Sequence, residues 1–191
     1  NPDTEITVTP GATEALFCAI TAVVQPGDEV IVFDPAYDTY DPAVTLNGAI
    51  CRHIPMTCPD FRIDWQRLRD TVNERTRLII LNTPHNPSGT CLTAGDLAEL
   101  RDIVRKRNVF LLSDEVYEHL VFDQKPHLSI LSDAELAARS FAVFSFGKTF
   151  HATGWRVGYC VAPVALMSEF LKIHQFINFS TNAPMQFGLA D

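Results

Sequence analysis

Short apolar runs alternate with longer amphipathic stretches along most of the chain. Several runs, such as Val30–Phe33 and Leu78–Leu81, are continuously apolar and contain β-branched residues, which is typical of strands covered on both faces. The pattern predicts seven strands: Glu5–Thr9, Val30–Phe33, Ala49–Ile54, Leu78–Asn82, Val109–Ser113, Phe141–Ser145 and Val157–Val161.

The stretches between these strands carry helical periodicity. They predict helices at Thr13–Val24, Tyr37–Leu46, Trp65–Val72, Ala94–Lys106, Val164–Phe176 and Ala183–Ala190. Thr93 is a suitable N-cap for the helix that starts at Ala94, and the Pro-Gly turn at residues 26 and 27 ends the first helix.

This alternation predicts an α/β fold, a three-layer sandwich built on a mostly parallel seven-stranded sheet. Only about eleven residues join the sixth strand to the seventh, which leaves no room for a crossover helix. We therefore expect the last strand to be antiparallel.

Composition narrows the class of protein. The chain has 191 residues, of which 47% are hydrophobic, and shows no repeat or linker, so we expect one domain over residues 1–191. A net charge of −8 argues against nucleic-acid or anionic membrane surfaces as partners, and no apolar run is long enough to span a membrane. The five cysteines contain no C-x-x-C pair, so we expect buried free thiols, no metal site and a reducing, cytoplasmic location.

The two ends of the chain indicate a larger protein. The sequence begins at Asn1 without an initiator methionine, and it stops at Asp191 inside what resembles a new helix, Ala183–Ala190. We expect both ends to be truncations.

Polar residues follow the predicted strands repeatedly, where ligands of open parallel sheets bind. Gly11, Ala12 and Thr13 follow the first strand and open a helix, so their backbone could hold an anion, although a glycine at such a turn is often only a turn. Tyr37 follows the second strand and could stack on an aromatic cofactor or simply pack. We assign Tyr40 to packing.

The loop after the fourth strand contains two prolines and a glycine around Asn86, and this rigidity can hold the Asn86 amide in one orientation. His85 has no neighbouring carboxylate or nucleophile in the sequence, so we interpret it as a solvated loop histidine.

Asp114 follows the apolar fifth strand, where a carboxylate needs a cation or a donor. A protonated pyridine nitrogen would serve, and so would the amides of a following helix. Tyr117 lies three residues on and could reach the same ligand, whereas we expect Glu115 and Glu118 to be solvated charges.

The sixth strand leads into Ser145-Phe-Gly-Lys148, and Arg156 follows eight residues after the lysine. This pattern places a lysine just past an apolar strand, with a serine three residues before it and an arginine eight residues after it, and one interpretation is a solvated lysine in a surface hairpin.

These loop motifs occur in one order along the chain. The series is Gly-Ala-Thr, Pro-x-Tyr, Asn-Pro-x-Gly, Asp-x-x-Tyr, Ser-x-x-Lys and Gly-x-Arg-x-Gly. It resembles the large, pyridoxal 5′-phosphate (PLP)-binding domain of the fold-type-I, class I/II aminotransferases, from about residue 5 to residue 162. Within that family the chain is most similar to bacterial methionine and aromatic aminotransferases related to the kynurenine and glutamine-K transaminases.

The resemblance implies a role for each position. Lys148 would form a Schiff base with PLP and move the substrate proton, and Asp114 would keep the pyridine nitrogen protonated. Tyr117 and Asn86 would hydrogen-bond the phenolic oxygen, and Tyr37 would stack on the ring. The phosphate would be held by Gly11, Ala12, Thr13, Ser145 and Arg156.

The resemblance also implies a function. The expected reaction transfers an amino group between an uncharged amino acid, methionine or an aromatic one, and a 2-keto acid, in a homodimer. A carbon–sulfur β-lyase of the same fold and a PLP-sensing domain of a transcription regulator are the alternatives. Family enzymes are about twice as long, and their small domain supplies the arginine that binds the substrate carboxylate, so we expect this chain alone to bind PLP weakly and to have little or no activity.

Overall fold

One sheet of seven strands runs through the middle of the computed structural model, which describes residues 1–191. The strands are β1 (Ile6–Thr9), β2 (Glu29–Asp34), β3 (Ile50–Pro55), β4 (Thr76–Asn82), β5 (Phe110–Asp114), β6 (Ser140–Ser145) and β7 (Gly158–Val161). Their order is β1-β7-β6-β5-β4-β2-β3. β7 is antiparallel to both of its neighbours, and all other pairs are parallel. The predicted strands and the antiparallel last strand are confirmed, with ends that differ by one or two residues.

Nine α-helices accompany the strands. They are α1 (Pro2–Glu5), α2 (Ala12–Val23), α3 (Tyr40–Leu46), α4 (Trp65–Thr71), α5 (Ala94–Val104), α6 (Ala134–Ala137), α7 (Phe146–Thr149), α8 (Val164–Ile177) and α9 (Ala183–Ala190). The six predicted helices are present, and Thr93 caps α5 in a capping box with Asp96. The one-turn helices α1, α6 and α7 were not predicted because a single turn carries no periodicity.

One predicted boundary was wrong in a way that affects the site. The helix expected from Tyr37 begins at Tyr40, because the Tyr40 amide closes a turn by donating to the Tyr37 carbonyl at 3.2 Å. Tyr37 therefore lies in a loop, and Tyr40 becomes the first helical residue.

Both faces of the sheet are covered, as the apolar strands predicted. Val30 and Val32 of β2 belong to a core formed with α2, α3 and α8, whereas Ile31 and Phe33 belong to a second core formed with α4, α5 and α6. Alternate residues of a strand point to opposite faces, so each strand feeds both cores. The result is the expected three-layer α/β sandwich.

Two further observations concern the surface and the thiols. No helix has the length and apolar character that crossing a bilayer requires. All five cysteines are free, but only Cys18 and Cys160 are buried, so the expectation that the thiols are buried was wrong for the other three. Cys58 is exposed because its strand has already ended.

Gly158 allows the closest backbone approach in the fold. A Cβ atom there would lie 2.6 Å from the Phe144 carbonyl oxygen and 2.8 Å from the Ala12 nitrogen. Both neighbours are backbone atoms of regular elements, so neither can move away cheaply. Only glycine lets β7 pass between β6 and the start of α2.

We expect Gly158→Ala to lower the free energy of unfolding by at least about 2 kcal/mol through overpacking. Urea denaturation would measure this change. Gly95→Ala in α5 is the matched control, because its Cβ would meet only Thr93 Oγ1, at 3.6 Å. If the Gly158→Ala variant were as stable as the natural protein, a Cβ atom at position 158 would not clash with β6 and α2, and the prediction would be wrong.

Candidate functional site

A cavity of about 220 Å³ opens at the edge of the sheet where the parallel strands end. It is lined by Ala12, Thr13, Leu16, Tyr37, Asn82, Asn86, Asp114, Val116, Tyr117, Ser145, Lys148 and Arg156. Nine of the ten predicted site residues are on this wall. The tenth, Gly11, lies directly beneath the Arg156 guanidinium. The structure thus brings together side chains that are far apart in sequence.

Strand register explains why the loops meet. Thr9 at the end of β1 pairs with Gly158, and Gly158 also pairs with Ser145 at the end of β6. Asn82 at the end of β4 pairs with Asp114 at the end of β5. Each loop that follows these strands therefore starts at the same edge.

One end of the cavity is suited to an anion. Gly11 is the N-cap of α2 and has a φ of 80°. Because glycine has no side chain, no side-chain cap binds the amide groups of the first turn. A Cβ at Gly11 would lie 2.6 Å from Arg156 Nη2, which shows how closely the guanidinium covers this turn. Arg156 itself has a left-handed backbone with a φ of 53° and donates to the Thr153 carbonyl at 3.1 Å.

The charge of Arg156 has no acidic partner within ion-pair distance. Thr13 and Ser145 bring hydroxyls to the same cavity. An uncompensated guanidinium, two hydroxyls and a helix N-terminus have the chemistry that a dianionic group such as a phosphate requires of its partners.

Lys148 stands on the one-turn helix α7, directly after β6. Its Nζ lies 5.4 Å from the centroid of the Tyr117 ring. A 3₁₀ turn at Thr153–Trp155 and α7 fill the connection from β6 to β7, and these two strands pair antiparallel. Lys148 lines the cavity from this connection and is itself exposed.

Asp114 is the most deeply placed ionisable group of the cavity, with 3% of its surface exposed. Burial raises its pKa to about 6, against the opposing effects of hydrogen bonds from the Tyr40 hydroxyl and the Val116 amide. Tyr40 Oη donates to Asp114 Oδ2 at 2.7 Å, and Val116 N donates to Oδ1 at 3.3 Å. Tyr40 packs in the core, as assigned, and its hydroxyl in addition binds Asp114, which the assignment to packing did not include.

His85 also differs from its predicted role as a solvated residue. The ring is buried, with Nδ1 2.7 Å from Ser88 Oγ and Nε2 2.9 Å from the Pro35 carbonyl. Since a carbonyl can only accept, Nε2 carries a proton and donates to it, and burial lowers the pKa of the ring. His85 joins the loop that carries Asn86 to the loop that carries Tyr37.

Glu115 was expected to be solvated and is instead fully buried. It accepts hydrogen bonds from Ser113 Oγ at 2.8 Å, from the Ile130 amide at 3.0 Å and from His127 Nε2 at 2.7 Å. Glu118 was likewise expected to be solvated and is half-buried, and burial raises its pKa. His127 and Ile130 lie 12 and 15 residues beyond Glu115, so the local pattern could not reveal these two partners.

Sequence reasoning also missed Asn82 and Val116. The Asn82 side-chain Nδ2 donates to the Asp114 backbone carbonyl at 3.0 Å. The Asn82 Oδ1 accepts a hydrogen bond from the backbone N–H of Asn86 at 2.6 Å. Asn82 thus ties the Asn86 loop to the end of β5. The signal for it was present, since Asn82 is a polar residue that ends the otherwise apolar predicted strand Leu78–Asn82.

Fold and site together define a family. The model of aminotransferase class I and II matches residues 1–188, and the chain belongs to this family.

Two relatives show where in the family the chain lies. It is 53% identical to the methionine aminotransferase of Escherichia coli strain K12, over 99% of this chain and 49% of that protein. It is 36% identical to kynurenine–oxoglutarate transaminase 3 of Rattus norvegicus, over 100% of this chain and 44% of the relative. The chain spans about half the length of these curated relatives.

The same relationship holds for a solved structure. An Escherichia coli protein identified as a methionine aminotransferase superposes with a TM-score of 0.98 at 53% identity, over 100% of this chain and 50% of that one. The expected family and fold are confirmed.

Proposed function

We propose that this chain is the large domain of a PLP-dependent aminotransferase and that Lys148 carries the reaction. The observation that supports the proposal best is that Lys148, Asp114 and Arg156 line one cavity although they come from three separate loops. In this proposal, residues 1–191 are the cofactor domain of a protein about twice as long.

The residues present fit PLP from end to end. The phosphate would lie on the α2 N-terminus at Gly11, Ala12 and Thr13, with Ser145 and Arg156 completing its shell. A Cβ at Gly11 would fill part of this cradle, as the 2.6 Å approach to Arg156 indicates.

The ring end fits equally well. Tyr37 supplies an aromatic face, and Val116 adds an apolar surface to the same wall. Tyr117 and Asn86 would donate to the phenolic oxygen of the cofactor, and Asp114 would accept from its pyridine nitrogen. Because Asp114 is buried, its negative charge is weakly screened and acts strongly on a cation beside it.

PLP supplies an aldehyde for covalent attachment and a protonated ring that accepts electrons. Lys148 would provide the amine for attachment and the base that removes and returns the substrate proton. Asp114 would accept a hydrogen bond from the ring nitrogen and favour its protonated form. Arg156 and the helix N-terminus would hold the phosphate and so fix the orientation of the cofactor.

The proposed substrates are an uncharged amino acid, methionine or an aromatic one, and a 2-keto acid. This choice rests on the relatives, which are named methionine aminotransferase and kynurenine–oxoglutarate transaminase. Both names describe amino-group transfer, which favours transfer over β-elimination or cofactor sensing as the role of this site.

We also propose a homodimer. Large apolar side chains are exposed on α8 and α9 and between them, namely Phe176, Ile177, Phe179 and Phe187. Apolar surface of this kind is normally covered by another part of the protein or by a second copy.

The five free thiols suit the cytoplasm, the compartment we assign.

The proposal is tested by an assay of the full-length protein with PLP. We expect methionine or an aromatic amino acid to give the highest kcat/KM, with formation of the corresponding keto acid and amination of the acceptor. A preference for aspartate or glutamate would contradict the substrate class. Release of pyruvate and ammonia from cystathionine, without amination of a keto acid, would contradict transfer.

A further inference from the structure

Tyr40 connects two parts of the cavity wall without lining the cavity. It is the first residue of α3, and 3% of its surface is exposed. Its hydroxyl reaches Asp114 Oδ2 at 2.7 Å, and its ring meets Tyr37 edge-to-face, with centroids 5.7 Å apart and planes at 81°. One side chain therefore touches both the residue proposed to stack on the ring and the residue proposed to bind its nitrogen.

The direction of the Tyr40 hydrogen bond is settled by its surroundings. Burial, followed by the charge of Asp114, raises the pKa of the Tyr40 phenol well above its usual value, so the hydroxyl keeps its proton and donates. A donor favours the charged form of the carboxyl that accepts from it. The only other donor to the Asp114 carboxylate is the Val116 amide, at the longer distance of 3.3 Å.

The other charges near Asp114 act in opposite directions. Glu115, the next residue, raises the pKa of Asp114, whereas Lys148 across the cavity lowers it. The phenols that face Tyr40 are those of Tyr37 and Tyr117. Among these groups only Tyr40 combines a short hydrogen bond to Asp114 with nearly complete burial.

We propose that Tyr40 is a positioning residue that holds Asp114 ionised and oriented toward the pyridine nitrogen of PLP. The proposal rests on the proposed function in that the ligand is PLP, but the contact between Tyr40 and Asp114 is a property of the protein alone. A tyrosine that only fills space would make no use of its hydroxyl, so Tyr40→Phe separates the two roles.

The direct test is the titration of Asp114 in the cofactor-free, full-length protein. Carboxyl carbons of labelled aspartate are followed by NMR against pH, and Asp114→Asn identifies the signal. We expect Tyr40→Phe to raise the midpoint for Asp114 by about one pH unit or more, since a hydrogen bond to a charged group changes an equilibrium constant by about tenfold or more.

Tyr159→Phe is the matched control. Tyr159 is half-buried on β7, and its hydroxyl lies beside Glu118 instead of Asp114. We expect this variant to leave the Asp114 midpoint unchanged. Circular dichroism and thermal unfolding confirm that both variants are folded.

A second readout is the equilibrium affinity for PLP, compared between the variant and the natural protein at each pH. We expect Tyr40→Phe to bind about fivefold more weakly near pH 6, with a smaller difference at pH 9, where Asp114 is ionised in both proteins. We also expect kcat to fall more than KM rises.

The possible failures are distinguishable. A natural protein that does not bind PLP would refute the proposed function. An unchanged Asp114 midpoint in Tyr40→Phe, in a protein that does bind PLP, would refute the role of Tyr40.

Discussion

Lys148→Ala is expected to reduce aminotransferase activity of the full-length protein by at least about ten-thousandfold, because the variant loses both the attachment point and the base. Lys148 is the only lysine that lines the cavity. The variant should still bind PLP non-covalently, since the phosphate site and Asp114 remain. Steady-state kinetics measures the first effect, and equilibrium dialysis measures the second.

Lys172→Ala is the matched control for this loss. Lys172 is exposed on α8 and pairs with Glu169 at 2.6 Å, away from the cavity. Full activity is expected. Activity of Lys148→Ala within tenfold of the natural protein would remove Lys148 from the mechanism.

Asp114→Asn is expected to change activity and stability in opposite directions. Activity should fall by about two to three orders of magnitude, because a neutral amide cannot stabilise a protonated ring as a buried carboxylate does. Stability of the cofactor-free protein should rise at neutral pH, because the natural fold buries a charge there. An amide oxygen can still accept the Tyr40 hydrogen bond.

The sign of the stability change follows from the two pKa values of Asp114. Its pKa is about 6 in the folded protein and 3.8 as the reference value, so the folded state binds the proton more tightly. This tighter proton binding stabilises the folded protein fully below about pH 4, and the stabilisation is lost as the pH rises toward 6. Above pH 6 the loss amounts to about 3 kcal/mol, and Asp114→Asn should recover a large part of it.

Denaturant unfolding between pH 4 and pH 8 checks this result. Asp133→Asn is the control of opposite sign. Burial opposes ionisation of Asp133, but the Leu136 amide and Arg101 lower its pKa overall, so the substitution should reduce stability at neutral pH. An Asp114→Asn protein that is less stable than the natural one at pH 8 would show that the carboxylate is a structural anchor.

Much of the fold could be predicted because burial on both faces leaves a continuous apolar run in each central strand. Val30–Phe33 illustrates this, since its alternate residues enter two different cores. One-turn elements could not be predicted in this way. Helix α7, which carries Lys148, is only four residues long. It packs closely against the turn at Thr153, since a Cβ atom at Gly147 would lie 3.0 Å from Thr153 Cα.

The candidate site was predictable to the extent that its residues directly follow strands. Asp114 and Lys148 could be found by their position after a strand, and Arg156, which precedes β7, by its spacing from Lys148. The supporting partners could not, because each joins segments far apart in the chain. The hydroxyl of Tyr40 acts on a residue 74 positions away, and His85 contacts a carbonyl 50 positions away.

The central claim is that Lys148 holds PLP covalently in this cavity. Its most direct test is borohydride reduction of the PLP-loaded, full-length protein, followed by peptide mass spectrometry. We expect the cofactor to be fixed on the peptide that contains Lys148 and on no other lysine. A modification found at another lysine, or none at all in a protein that catalyses amino-group transfer, would contradict it.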